Sequence, residues 1–421
     1  MSILDIILAI YTSVLAYKSA RRLLGLTSSS FVDYVIIIMY IFNALPIIMN
    51  ILLGLPQYEL IAWYDKFELA ATNSVVNMVY DIYVIVVFFS LSCYSKRNNT
   101  ISSISVIRIQ DSFTLSVLVL TSVLPFILAI LFGHYEAYLS FMSSSWRGLE
   151  PGQTAILMFF EIIALVAFHC WFFIGKSTNR SYWILVLYDF LIIWIDGKRY
   201  LMATIVLLFI FFYLNSEYRV TKKVNLRALG MVVLPLFLGI YVIYAFAYKI
   251  NDNVADLAKE MTYLSFRIDF GRDDVTKCVL YDELVEKHPI LDYRGQSLLS
   301  TVLFWVPRSI WPTKPFPHYR YLTASIYNIT LDEVHSGMTP SLYEMSIANF
   351  GVIIGIVMTI VTLILLIRYF DKSKSMLVKA FGIIILESLL TQSLDAISSI
   401  IIVWMFVSIF KIRIGKFIKI S

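Results

Sequence analysis

Apolar residues in this chain gather into runs long enough to cross a bilayer, separated mostly by short polar connections. A hydrocarbon core of roughly 30 Å calls for about 20 apolar residues per helix. About eleven such runs can be read, near 3–20, 31–54, 73–94, 112–133, 154–175, 181–195, 199–215, 228–248, 350–369, 376–395 and 396–412. Those at 181–195, 199–215 and 396–412 are short. The pattern predicts an all-α polytopic membrane protein. The first run contains Asp5 and lacks a small-residue cleavage site, so it is expected to remain as a span.

Basic residues order the connections. One alternating set collects Lys18, Arg21 and Arg22; Lys96, Arg97 and Arg108; Lys176 and Arg180; Arg219, Lys222, Lys223 and Arg227; Arg368, Lys372, Lys374 and Lys379; and Lys411, Arg413, Lys416 and Lys419. The short loops of the other set hold only Lys66, Arg147, Lys198 and Arg199. Cytoplasmic loops carry the excess of Lys and Arg, and long loops are exempt from that count. The N-terminus is therefore expected outside and the C-terminus in the cytoplasm. Three stretches follow: 1–248 with transmembrane helices 1–8, 249–349 as one large helical extracytoplasmic loop, and 350–421 with helices 9–11 and a cytoplasmic tail. A single long outer loop is where function is expected to lie.

Composition sharpens this. Of 421 residues, 59% are hydrophobic and 15% charged, against about 45–50% and 25% in soluble proteins. A soluble enzyme, a disordered chain and a fibrous repeat are excluded. The net charge of +5 follows from the cytoplasmic loops and does not point to nucleic acid. Three cysteines, Cys93, Cys170 and Cys278, form no CxxC pair. The histidines are scattered with no pair at ligand spacing, so neither a metal site nor a cofactor is expected.

In the outer loop, Asn251 or Asp252 is expected to cap one helix and Asp273 a second, with Asp282, Glu283 and Glu286 solvated. The apolar stretch from Gly295 to Pro307 is too short to span and reads as interfacial or re-entrant, with Trp305 and Trp311 at headgroup depth. Thr339 is expected to cap a helix that starts at Pro340, carries Glu344 and runs into the 350–369 span. From Arg294 to Arg320 there are four bases, Arg294, Arg308, Lys314 and Arg320, and no acid. Upstream, Arg267 and Arg272 alternate with Asp269, Asp273 and Asp274, and Asp196-Gly197-Lys198-Arg199 adds two bases on the same side. Outer-face cations run against the positive-inside trend, and an anionic ligand at the outer membrane surface accounts for them.

Arginine grips phosphate oxygens with a planar fork. Cations aimed at a departing diphosphate stabilise the charge that grows there, and an acceptor hydroxyl needs a base within reach. Candidate bases are Glu344, His335 and His318. The alternatives are plain ones: Arg308 anchoring a helix to headgroups, Arg267 and Arg272 pairing with their own aspartates, Lys198 and Arg199 snorkelling from a helix end. Asp81, Glu161, His169, Asp189 and Glu387 lie inside spans, where ionisable residues are functional suspects. Glu161 and His169 share a helix face and read as a proton relay or as mutual helix pins.

The run Gly295-Gln-Ser-Leu-Leu-Ser-Thr-Val-Leu-Phe-Trp-Val-Pro307-Arg308-Ser-Ile-Trp311-Pro312-Thr-Lys314-Pro315 resembles the signature of bacterial oligosaccharide repeat-unit polymerases, the O-antigen and capsule polymerases. Gly337 to Gly355 is similar to that family's second patch, and Asp196-Gly197-Lys198-Arg199 to its short Gly-Arg turn. The resemblance implies a membrane glycosyltransferase (GT-C-like) architecture shared with the O-antigen ligases, in the bacterial cytoplasmic (inner) membrane. It implies transfer of a growing glycan from undecaprenyl diphosphate to the non-reducing end of a lipid-linked repeat unit, without a nucleotide sugar. Glu344, His335 and Arg308 would be catalytic, and Arg199, Lys198, Arg267, Arg272, Lys314 and Arg320 would bind the diphosphate. Partners would be undecaprenyl-diphosphate-linked oligosaccharides, membrane lipids, a chain-length regulator and a flippase. The related ligases carry a His at the start of the second patch; here Thr339 or Pro340 stands there and His335 lies upstream. The competing readings are a lipid-linked oligosaccharide flippase or other secondary transporter, and a glycan ligase of the same architecture.

Overall fold

The computed structural model describes residues 3–24, 30–60, 65–97, 105–108, 111–132, 151–175, 181–196, 200–215, 230, 263–264, 266–267, 271–304, 306–334, 337–394, 397–410 and 416–419. Among them six helical stretches are long and apolar enough to cross a membrane: Ile3–Leu24, Phe31–Leu53, Ser74–Lys96, Ser112–Leu131, Gly152–Ile174 and Val352–Lys372. Tyr182–Ile195, Leu201–Asn215 and Ser398–Ile409 are apolar but shorter. The chain is a helical membrane protein. The expected span at 228–248, and the helix expected after Asn251, lie outside the described residues.

The chain packs as two units that draw on all three expected stretches. Unit 1 comprises Met1–Thr100, Asp252–Lys372 and Ile385–Ser398; unit 2 comprises Ile101–Asn251, Ser373–Ile384 and Ser399–Ser421.

In unit 1, α1 (Ile3–Leu24) packs on α2 (Phe31–Met39), α3 (Leu45–Leu53) and, past α4 (Asp65–Thr72), on α5 (Ser74–Arg97). α2 and α3 are one span interrupted by a π-turn at Tyr40–Ala44, with Pro46 in the first turn of α3. A π-turn loosens the regular ladder and often marks functional positions. Here Phe42 O accepts the backbone N–H of Arg272 at 2.9 Å, and Asn43 O accepts the Tyr80 hydroxyl at 3.1 Å. Near the far end of α1, Arg22 pairs with Asp33.

Unit 2 contains β1 (Ser105–Arg108), α6 (Ser112–Leu131), α7 (Pro151–Ile174), α8 (Tyr182–Asp196) and α9 (Tyr200–Asn215). α7 packs on α6, α8 and α9. Ala129, Leu157 and Ile195 meet in a buried apolar cluster.

Unit 1 also contains α10 (Asp273–Tyr281), α11 (Gln296–Val302), α12 (His318–Tyr327) and α13 (Leu342–Phe350). They are followed by α14 (Val352–Lys372), α15 (Met376–Thr391) and α16 (Ser398–Ile409), and the chain closes with β2 (Lys416–Lys419). β1 and β2 pair antiparallel, Ser105 opposite Lys419 and Arg108 opposite Lys416. This short ribbon is an addition to the all-α expectation.

Two sequence expectations are corrected at α13. Its N-cap is Ser341, not Thr339, because Ser341 and Glu344 form a reciprocal capping box. Nor does it run into the next span. Gly351 adopts φ +79°, which favours glycine, and ends the helix with its N–H on Ile347 O. The chain then doubles back closely: a Cβ on Gly355 would lie 2.8 Å from Ser346 O and 2.9 Å from Ile347 Cα.

Candidate functional site

Unit 1 gathers the predicted site residues into two groups of opposite character. The first forms where α10 begins. Two aspartates in its first turn suit the positive end of the helix, and they also meet the basic residues just before them. Arg267, 1% exposed, donates to both oxygens of Asp273 at 2.8 and 2.9 Å and to Asp274 at 3.2 Å. Lys277, one turn on, lies 3.4 Å from Asp273. The Tyr58 hydroxyl donates to Asp274 at 2.7 Å. Gly271 admits the crossing, since a Cβ there would fall 2.5 Å from Nη1 of Arg267. Burial opposes charge on Asp273, but Arg267 and Lys277 outweigh it and hold the carboxyl low. For Asp274 burial wins over Arg267 and the carboxyl is pushed up. Arg267 is thus committed to its own aspartates.

Arg272 belongs to the same group. It is buried, and its Nε donates to Thr391 O at 3.0 Å and Nη1 to Gly271 O at 3.1 Å. Asp273 lies one residue inside α10 rather than capping it, and Arg272 occupies the cap position. Asp282, expected to be solvated, is buried instead against Lys66 and the Ser325 hydroxyl at 2.6 Å.

Glu344 is fully buried. The Ser341 hydroxyl donates to it at 2.6 Å and the Ser341 N–H to its other oxygen. Burial pushes its carboxyl up to about 7, while the Ser341 hydrogen bonds and then the charge of Arg272 draw it back. Arg272 and Glu344 are therefore within electrostatic reach, although their positions in the sequence are remote.

The second group is a cationic rim on the turn between α11 and α12 and the first turn of α12, with Arg308 exposed and Lys314 and Arg320 half-buried. Arg308 lays its guanidinium over the Phe316 ring, 4.2 Å from the centroid, and Arg320 lies 4.8 Å from the same centroid. Each adds a cation–π contact. Arg308 also donates to Lys314 O at 2.6 Å and Pro315 O at 3.1 Å, and Arg320 to Val334 O at 3.3 Å. Lys314 closes the turn by donating to Phe304 O at 2.9 Å and Val306 O at 3.0 Å. These contacts are backbone carbonyls and an aromatic face. Among the described residues no carboxylate pairs with Arg308, Lys314 or Arg320.

A buried polar chain ties this loop to the helix of Glu344. His318 Nδ1 lies 2.9 Å from Ser297 Oγ, Ser297 Oγ donates to Asn349 Oδ1 at 3.0 Å, and Asn349 Nδ2 donates to Met345 O at 2.7 Å. Burial pushes His318 down to about 3, so its imidazole is neutral. It fastens the loop rather than adding a cation to the rim.

The structure thus brings Arg308, Lys314 and Arg320 together, and separately Arg267 and Arg272, the latter with Glu344. His335, Lys198 and Arg199 lie outside the described residues, as does Trp305. Phe316 was not singled out from sequence. An aromatic between two prolines within an acid-free basic stretch is the signal that marks it. Among the described residues no group of three or more His, Cys, Asp or Glu side chains is placed to hold a metal ion. Compared with protein-family models, with curated proteins and with solved structures, the chain matches none.

Proposed function

We propose that the chain is a membrane glycosyltransferase that polymerises lipid-linked oligosaccharide repeat units on the outer face of the bacterial cytoplasmic membrane. One observation supports the choice above others: the cluster of Arg308, Lys314 and Arg320 around Phe316, charged, exposed or half-buried, and unmatched by carboxylates among the described residues. Such a rim suits the oxygens of a polyprenyl diphosphate at headgroup depth. The sequence resemblance supplies the reaction. The bond between the anomeric carbon and the diphosphate oxygen breaks, and its electron pair leaves with the carrier. The acceptor hydroxyl oxygen forms the new glycosidic bond, and its proton passes to a base. Arg308, Arg320 and Lys314 stabilise the leaving charge. Glu344, whose carboxyl is pushed up to about 7, is in the range suited to acid–base work, and His335 is the other candidate.

The test is purified protein in lipid nanodiscs, given a synthetic polyprenyl-diphosphate repeat unit. The expected product is a ladder of lengthened glycans on the lipid carrier. Arg308→Ala should lose the ladder while single repeats persist and the protein elutes normally. Relocation of substrate without lengthening would instead identify a flippase, and glycan on a different acceptor a ligase. Unchanged ladders in Arg308→Ala and Arg320→Ala would remove the rim from the mechanism.

A further inference from the structure

Unit 2 holds two titratable side chains that the proposed reaction does not use. His169 on α7 and Asp189 on α8 are both wholly buried, with Nε2 of the imidazole 3.7 Å from Oδ2 of the carboxyl. The other ring nitrogen, Nδ1, lies 2.9 Å from Leu165 O. A carbonyl oxygen only accepts, so Nδ1 must carry hydrogen. In the neutral ring Nε2 then presents a lone pair. It faces a carboxyl whose two oxygens have no hydrogen-bond partner among the described residues, and Nε2 itself has none there. A bare lone pair opposed to a bare carboxylate, both out of reach of water, is costly on two counts: polar groups are unpaired and a charge is uncompensated.

The described residues around the pair offer no other remedy. The Phe173 and Phe212 rings flank the imidazole, with centroids at 6.4 and 6.0 Å. The helices packed here are α6, α7, α8 and α9, and none of them carries Lys or Arg. Their other titratable groups with described side chains are Glu161 and Cys170 on α7, Tyr182 and Tyr188 on α8 and Tyr213 on α9. The Tyr188 hydroxyl is already turned to Ser122 O at 2.9 Å. Among these helices the one cation able to face Asp189 is therefore a protonated His169.

We propose that His169 and Asp189 form an intramembrane proton-binding site, with one exchangeable proton shared between Nε2 and the carboxyl. With the proton on nitrogen the pair is imidazolium and carboxylate; with the proton on oxygen it is imidazole and carboxylic acid. The net charge is zero either way. Release to water leaves one negative charge in the helix interior, and uptake of a second proton leaves one positive. Either change weakens the packing of α7 on α8, so the site couples proton occupancy to the helices that hold it. The 3.7 Å separation is wider than a hydrogen bond, so the shared proton also requires a small approach of the two side chains.

The experiment uses the full chain in lipid nanodiscs, with 15N-labelled histidine. Solid-state NMR reads His169 Nε2, assigned by its loss in His169→Gln, and infrared difference spectra read the carboxyl band, assigned by Asp189→Asn. The expected result is that the Nε2 signal and the carboxyl band change together, in one step, as pH is raised. In Asp189→Asn the proton affinity of His169 should fall roughly tenfold or more, one pKa unit. If Asp189→Asn does not fold, the coincidence of the two signals in the unmutated protein is decisive on its own. Independent titrations, a His169 signal indifferent to Asp189→Asn, or no change across the range in which the protein stays folded would each overturn the proposal.

Discussion

Arg267 and Arg308 are the same side chain in opposite circumstances, in one unit of the molecule. Arg267 is buried and spends its fork on Asp273 and Asp274. Arg308 is exposed and, among the described residues, meets carbonyl oxygens and the Phe316 ring. A buried guanidinium must be matched by charge, and once matched it has little left for a ligand. An exposed guanidinium needs no such match; one held in place by neutral contacts is positioned without being neutralised. The difference separates arginines that tie their own segment together from arginines that the proposed function assigns to an anion, which a count of basic residues cannot do.

The comparison can be broken most directly at the inner group. Asp273→Ala takes from Lys277 its carboxylate and from Arg267 its two-oxygen partner, leaving Arg267 with Asp274 alone, and removing one partner of a buried pair costs about 3–5 kcal/mol. The thermal midpoint in detergent, followed by size-exclusion chromatography, should fall sharply. Replacing Arg267 and Asp273 together by Met and Leu should recover much of that loss, since a well-packed apolar pair often substitutes without penalty. An unchanged midpoint in Asp273→Ala would show that the inner group is not structural.

At the outer rim the expectation is reversed. Arg308→Ala and Arg320→Ala should leave the midpoint nearly unaltered and each lower the polymerisation rate by about 10²–10³, the loss typical of one donor aimed at developing charge. Arg308→Lys keeps the charge but not the fork, and should recover only part of the activity. Steady-state rates beside the thermal midpoint separate the two groups: a variant that loses both together belongs with Arg267.

Glu344 stands between the groups, and pH tests it. Its carboxyl is raised from 4.5 to about 7, first by burial. The folded protein therefore holds this proton more tightly than the unfolded chain. The stability contributed is present in full below about pH 4.5 and is lost as pH rises through about 7. Glu344→Gln keeps an acceptor for the Ser341 N–H and cannot ionise. Its midpoint should be flatter over that window than the parent's, with the gap widening toward pH 7. A parent protein whose midpoint is level, or rises, across the window contradicts this account.

How much of this was legible beforehand follows from distance along the chain. The spans are local apolar runs, and all six long apolar helices fall on predicted ones. The pairing of Arg267 with Asp273 and Asp274 is also local, and the alternation of bases and acids there offers it. What pattern could not give is contact between remote segments. Arg272 reaches Thr391 O, Tyr58 reaches Asp274, and His169 on one helix finds Asp189 on the next. The expected neighbour of His169 was Glu161, because helical periodicity reports faces of a single helix and is silent about its partner. The Ser341 cap escaped for a related reason: Thr339-Pro340 is a good start signal, but a reciprocal bond to Glu344 is a stronger one.

The smallest effect completes the contrast. Arg294 is exposed like Arg308 yet has a carboxylate like Arg267: Glu283 accepts from it at 2.5 and 2.6 Å, and it also donates to Ala348 O at 2.8 Å near the end of α13. The Arg294 side chain is 43% exposed and the Glu283 side chain 7%, so water screens the pair from the arginine side, and its contribution lies nearer the roughly 0–1 kcal/mol of an exposed ion pair than that of the buried Arg267 pair. Glu283→Gln should therefore shift the midpoint only slightly, and less in high salt. Arg294→Ala should cost somewhat more, because the Ala348 carbonyl loses its donor as well. If Glu283→Gln cost as much as Asp273→Ala, exposure would not be what distinguishes the arginines, and the contrast between Arg267 and Arg308 would need another cause.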